Sequence, residues 1–124
     1  MKHRILMVDD EDDVRRLAGI FLRDAGYEVL EAANGVQALE MIARHPVDLV
    51  VLDLVMPEKE GAETVQALRR QRSDLPVLAI SGVVGADFYL HAAKMLGASA
   101  TLRKPFTREQ LIGAIEPLLG IQSS

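Results

Sequence analysis

Along this chain, short apolar runs alternate with stretches in which apolar residues recur every three to four positions. The runs are Arg4 to Val8, Tyr27 to Ala32, Val47 to Leu52, Pro76 to Ile80 and Ala100 to Leu102. Brief apolar runs suit buried strands, and a period near 3.6 residues suits helices with one covered face. Their regular alternation predicts a parallel sheet wrapped by crossover helices. The first helix begins near Asp12 or Asp13, sets Val14, Leu17, Ala18, Phe21 and Leu22 on one stripe, and is ended by Gly26. Glu28 marks the second strand as an edge. Asn34-Gly35 opens a second helix carrying Ala38, Leu39, Met41 and Ile42. It stops before His45-Pro46, because a residue preceding proline avoids the α region. The third strand is continuously apolar after Asp48, as in the middle of a sheet covered on both faces. Beyond a polar loop from Met56 to Gly61, helices are predicted from about Ala62 to Arg70 and Ala86 to Leu96. A last helix follows Thr107, an N-cap with Gln110 three positions on, and runs to about Leu119.

Five strand-helix repeats define the fold class: α/β, a doubly wound five-stranded parallel sheet of flavodoxin-like (βα)5 form with strand order 2-1-3-4-5. No linker or low-complexity tract interrupts the pattern, so residues 1–124 read as one domain. A domain of this size buries roughly two-thirds of its unfolded surface and needs no staple.

The chemistry lies where the strands stop. The first run ends in Asp9-Asp10, the third in Asp53, the fourth in Ser81, and Lys104 follows the fifth. With strands one and three adjacent, Asp9, Asp10 and Asp53 share one rim. Ser81 then lies one strand spacing from Asp53, about 4.8 Å, and Lys104 about two, a gap that a long side chain spans. Carboxylates about 4 Å apart repel by roughly 4 kcal/mol per pair at an effective dielectric near 20, so the cluster calls for a cation or a proton. Mg2+ prefers hard oxygens and is commonly held by one or two carboxylates together with a substrate phosphate. Beside such a metal an aspartate can attack phosphorus and form an aspartyl phosphate. The phosphoryl oxygens would then be balanced by the metal, the Lys104 ammonium and the Ser81 hydroxyl.

Each of these residues has an ordinary use when taken alone. Asp9 and Asp10 suit a helix N-terminus, Asp53 a loop cap, Ser81 beside Gly82 a turn, and Lys104 before Pro105 an exposed cation. What favours a site is coincidence: separate strand ends supply acids, a hydroxyl and an ammonium in the order one phosphoryl group needs. His3, His45 and His91 stand at unrelated positions and read as surface or packing residues.

Composition narrows the partners. A formal charge of -4 and the lack of a clustered basic surface argue against direct nucleic-acid binding. The basic groups Arg15-Arg16 and Arg69-Arg70 with Arg72 read as solvated helix faces. With no cysteine, neither a disulfide framework nor a thiolate metal site is available, and a cytoplasmic location is the default. Met1-Lys2-His3-Arg4 leads into an apolar run too short for a signal peptide or a membrane span.

Val8-Asp9-Asp10-Glu11, Asp53 followed by Met56-Pro57, Ser81-Gly82, Gly97-Ala98 and Lys104-Pro105-Phe106 together resemble the receiver domains of two-component response regulators, over essentially the whole chain. The resemblance implies that Asp53 accepts the phosphoryl group and that Asp10 binds Mg2+ directly, with Asp9 acting mainly through a bound water. It implies that the Val55 carbonyl completes the metal ligands, that Lys104 and Ser81 contact the phosphoryl group, and that Lys104-Pro105 is cis. The implied donor is a phosphohistidine on a sensor histidine kinase or phosphotransfer protein. The implied output is a changed surface of helix four, strand five and helix five, offered to a downstream target, to an output domain or to a second copy in a homodimer. The pattern departs at Thr101, where most receivers carry Tyr or Phe. Readout would then rely on the backbone or on Phe88 or Tyr89, next to a Val83-Val84 loop flanked by Gly82 and Gly85 that reads as mobile. The chain ends soon after the last helix, which suits either a single-domain regulator or a receiver from a longer protein.

Three readings compete. A dinucleotide-binding domain would need a glycine-rich turn after the first strand, where this chain has Asp-Asp-Glu-Asp-Asp. A haloacid-dehalogenase-type phosphohydrolase would need a second aspartate at Val55. An interaction module of the same fold that is never phosphorylated remains as the alternative. Val55 and Val83 offer no side chain to orient an attacking water, so slow loss of the phosphoryl group from the isolated chain is the expected outcome. Rapid release of inorganic phosphate would contradict it.

Overall fold

The computed structural model describes residues 2–54, 60–82 and 86–121, except for the side chains of residues 60, 62, 86, 88 and 89. The elements run β1 (Arg4–Val8), α1 (Asp12–Asp24), β2 (Glu28–Ala32), α2 (Gly35–Arg44), β3 (Leu49–Asp53), α3 (Glu60–Gln71), β4 (Val77–Ser81), α4 (Ala86–Met95), β5 (Ala100–Arg103) and α5 (Arg108–Leu118). The strands pair in parallel in the order β2-β1-β3-β4-β5, as predicted.

Alternation along each strand divides the core in two. Leu6, Val8, Val50, Leu52 and Ala79 pack with Ala38, Ile42, Val65, Leu68 and Leu90 from α2, α3 and α4. Ile5, Met7, Val51, Leu78 and Ile80 pack on the other face with Ala18 and Leu22 of α1 and Leu111 and Ile115 of α5. Both faces are therefore dry, which is why β3 and β4 are buried at every position. The β2 edge is more open, and exposed Glu28 pairs there with Arg4 at 3.1 Å.

Local signals set the ends of the elements. Thr107 and Gln110 form a full capping box at α5, and Asn34 accepts from the Gln37 amide at α2. After α1, Gly26 takes a φ of 98°, a region that side-chain-bearing residues avoid. Boundaries shift by up to two residues. Strand β3 starts at Leu49, two residues after Val47, and α3 starts at Glu60, two residues before Ala62. Pro76 stands outside β4, although its carbonyl still accepts from Val50.

One stripe assignment needs correction. Leu17 is 52% exposed, and Ile20, outside the predicted stripe, is exposed as well, because α1 covers the sheet through Ala18 and Leu22. Leu78→Ala, at a fully buried position, is expected to cost about 2–5 kcal/mol by urea unfolding, whereas Leu17→Ala should stay within about 0.5 kcal/mol.

Candidate functional site

The carboxyl ends of β1, β3 and β4 and the residue after β5 meet on one rim, as strand order and register require. Asp53 closes β3 and Ser81 closes β4, and both are fully buried. Asp9, directly after β1, is also fully buried, whereas Asp10 is exposed. One carboxylate oxygen from each of Asp9, Asp10 and Asp53 lies within 4.8 Å of the other two.

Lys104 makes the span predicted for it. Its Nζ donates to Asp9 Oδ2 at 2.9 Å and to Asp53 Oδ2 at 3.0 Å, and the exposed Glu11 lies 3.9 Å away. Its backbone amide donates to the Ser81 carbonyl at 2.8 Å, continuing the β4-β5 ladder into the loop. The Lys104-Pro105 peptide is cis. Two close approaches explain glycines on this rim. A Cβ on Gly82 would stand 2.7 Å from the Lys104 Cβ, and one on Gly61 would stand 2.8 Å from the Leu54 backbone.

Asp9 is held at every polar atom. Its amide donates to the Ala32 carbonyl at 3.1 Å, and its own carbonyl accepts from Arg15 at 2.7 Å. Its Oδ1 accepts from the Glu11 amide at 2.9 Å, leaving Oδ2 for Lys104. Ser81 Oγ, by contrast, is buried without a hydrogen-bond partner among the described residues. A buried hydroxyl left unmatched carries a desolvation cost, so an acceptor arriving beside Ser81 would be welcome. Hard oxygens, a surplus of negative charge and an orphaned hydroxyl form a donor set that fits a divalent cation together with an oxyanion.

Burial pushes the Lys104 ammonium down, and hydrogen bonding and charge from Asp9 and Asp53 outweigh it, leaving the group above the ordinary lysine value of 10.5. Beside it, between α1 and the segment after β5, opens a cavity of about 410 Å3 lined by Glu11, Val14, Leu17, Phe21, Pro105 and Phe106 among others. Half-exposed Leu17 thus belongs to a groove wall that leads to the rim.

A family model of the response regulator receiver domain matches residues 5–116. The chain belongs to that family. Response regulator MprA of Mycobacterium leprae is 40% identical over 94% of this chain and 50% of its own length. The chain spans about half the length of the curated relatives it matches. The chemotaxis protein CheY4 of Vibrio cholerae aligns with a TM-score of 0.87 at 32% identity, covering 96% of this chain and all of that one. NtrX of Brucella abortus aligns with a TM-score of 0.90 at 33% identity over 97% of this chain but only 27% of its own.

Several expectations for this receiver domain meet the limits of the described residues. Val55, Met56-Pro57, Val83-Val84 and Gly85 lie outside them, as do the side chains of Phe88 and Tyr89. Thr101 is half-buried on β5 and faces a second cavity, with Leu90, His91 and Lys94 of α4.

Two basic clusters read as solvated faces need correction. The Arg15 side chain is only 13% exposed and has acceptors on three elements; Arg16 is the exposed neighbour. Arg69 is likewise engaged, donating to the carbonyls of Gly97 and Leu75 and to Ser99 Oγ, while Arg72 donates to the Val47 carbonyl. In sequence the one hint for Arg15 was its place three residues after Asp12.

The raised Lys104 pKa predicts a definite response to alkali. Between the ordinary lysine value and the raised one, the folded chain keeps a proton that the unfolded chain releases. This part of the stability is full below about pH 10.5 and falls as pH rises through the folded value. Tyr27, raised by burial and by Glu116, contributes with the same sign. In Tyr27→Phe protein, urea midpoints should decline above pH 10, and adding Lys104→Arg should flatten that decline; equal slopes would refute the assignment.

Proposed function

We propose that this receiver domain is a phosphorylation-driven switch of a two-component or phosphorelay system, with Asp53 as its phosphoacceptor. The observation that carries the reading is the Lys104 ammonium held between Asp9 and Asp53, on the same rim as a Ser81 hydroxyl that has no hydrogen-bond partner among the described residues. That arrangement has a nucleophile, a fixed positive charge and a spare donor on one rim.

Mg2+ suits the oxygens of Asp9, Asp10 and Asp53, with the Val55 carbonyl outside the described residues as a further ligand. When bound, it supplies positive charge to a phosphoryl oxygen and relieves the repulsion among the carboxylates. The chain's own residues do the remainder. A carboxylate oxygen of Asp53 attacks phosphorus, an O–P bond forms, and the N–P bond of the phosphohistidine breaks. The bonding pair stays with the imidazole nitrogen of the donor, which takes up a proton. Lys104 exchanges part of its contact with the carboxylates for a phosphoryl oxygen, and Ser81 Oγ donates to another. Such transfer rests mainly on positioning and charge, which fixed groups on four strand ends supply.

The donor is a sensor histidine kinase or a histidine phosphotransfer protein in the cytoplasm. The groove of Val14, Leu17, Phe21 and Phe106, which Lys104 also lines, gives a helical donor an apolar seat beside the rim. A phosphoryl group adds about -1.5 to -2 charges and draws Ser81 toward it, so the start of α4 repacks. The α4-β5-α5 surface then acts on a downstream target, on an output domain in a longer protein, or on a second copy as a homodimer. Residues 1–124 act as one receiver unit in each case.

Acetyl phosphate or phosphoramidate with Mg2+ is expected to add one phosphoryl group at Asp53, seen by mass spectrometry and absent in Asp53→Asn. Modification elsewhere, or none with either donor, would favour an interaction module that is never phosphorylated.

A further inference from the structure

The Arg15 guanidinium reaches three separate pieces of structure from the first turns of α1. It donates to the Asp9 carbonyl at 2.7 Å, to Asp12 Oδ1 at 2.6 Å and to Glu31 Oε1 at 3.1 Å. Glu31 lies on β2 in register with Met7, two residues before Asp9, and its other oxygen accepts from Arg23 at 3.3 Å. The guanidinium thus ties the turn that carries Asp9 and Asp10 to its own helix and to the neighbouring strand. None of these contacts involves a carboxylate of the three-acid cluster, so Arg15 can position the cluster only through the backbone.

The charge of Arg15 has the wrong sign to help a cation bind nearby. Its geometry has the right one, since a planar fork that fixes a backbone carbonyl also fixes the side chains on either side of it. We infer that Arg15 is a positioning residue for the metal: it holds the Asp9-Asp10 turn in the conformation that brings three carboxylates to one point, and this outweighs its repulsion of the ion. The inference rests on the proposed Mg2+ site. Groups that orient metal ligands are typically worth about 10- to 100-fold in metal affinity.

The two effects of Arg15 differ in sign, which makes the test decisive. Mg2+ binding to the intact chain, without phosphodonor, is measured by calorimetry for wild type, Arg15→Gln, Arg15→Lys and Arg16→Gln, each checked for folding by circular dichroism. Arg16 is exposed and makes no hydrogen bond or ion pair among the described residues, so its variant removes a charge and no clamp. The expected result is about tenfold weaker binding in Arg15→Gln despite its more negative site, unchanged or tighter binding in Arg16→Gln, and an intermediate loss in Arg15→Lys, which keeps the charge but not the fork. The loss should persist in 1 M salt, where screening is effective beyond about 3 Å. Equal or tighter binding in Arg15→Gln overturns the inference and leaves the metal site standing. If Arg15→Gln does not fold, Arg15→Lys decides alone, because an affinity equal to wild type with the charge kept refutes a geometric role. Wild-type protein that takes up no Mg2+ overturns the functional reading and this inference together.

Discussion

One ammonium between two buried carboxylates sets the terms for the rest of this structure. Asp9 and Asp53 are both fully buried, and a charge removed from water to that degree persists only when paired and hydrogen-bonded. Lys104 supplies the pairing from two strands away, which fixes several other features of the rim. Its amide must join the ladder at Ser81 for the side chain to start at the right height. Residue 82 must lack a side chain, because the Lys104 stem lies where one would stand. Buried ion pairs are poor evidence of stability by themselves, and this one does not balance. Among the described residues these two carboxylates and exposed Asp10 share the Lys104 ammonium, a donor set that suits a divalent ion.

The fold was legible because the period of apolar residues is the same physical quantity that decides burial. Strands covered on both faces must be apolar throughout, and helices covered on one must be apolar every third or fourth residue. The strand-end position of Asp9, Asp53, Ser81 and Lys104 followed from that pattern, and the parallel order brought them together. Lost from view were features that depend on where a long side chain turns. Arg15 and Arg69 look like surface charges in sequence because periodicity places their Cα atoms near the helix surface. Their guanidinium groups fold back along the apolar stem to reach carbonyls of other elements. Leu17 failed in the opposite sense: its position suits the covered stripe, but α1 lies on the sheet through smaller Ala18, and Leu17 is left lining a groove.

The carboxyl end of α4 is tied to several other parts of the fold. There, Gly97 has a φ of 118°, and its carbonyl accepts from Arg69, whose remaining donors engage the segment from Arg72 to Leu75 and the Ser99 hydroxyl. Ala98 and Ser99 continue directly into the sheet through bonds to Ala93 and Val77. On the neighbouring strand, Ser81 closes β4 with a buried hydroxyl that has no hydrogen-bond partner among the described residues.

β5 carries Thr101 at the position where the resemblance to receiver domains implies an aromatic ring. A ring that swings between exposed and buried positions needs a vacant volume next to β5, and the cavity between Thr101 and Leu90, His91 and Lys94 provides one of about 430 Å3. Threonine is too small to fill it and too stiff at χ1 to sweep through it. Arg69 ties the carboxyl end of α4, and towards the other end Asp87 of α4 pairs with Arg103 of β5 at 3.1 Å. This exposed pair is worth little as a contact, but it spans the seam between α4 and β5.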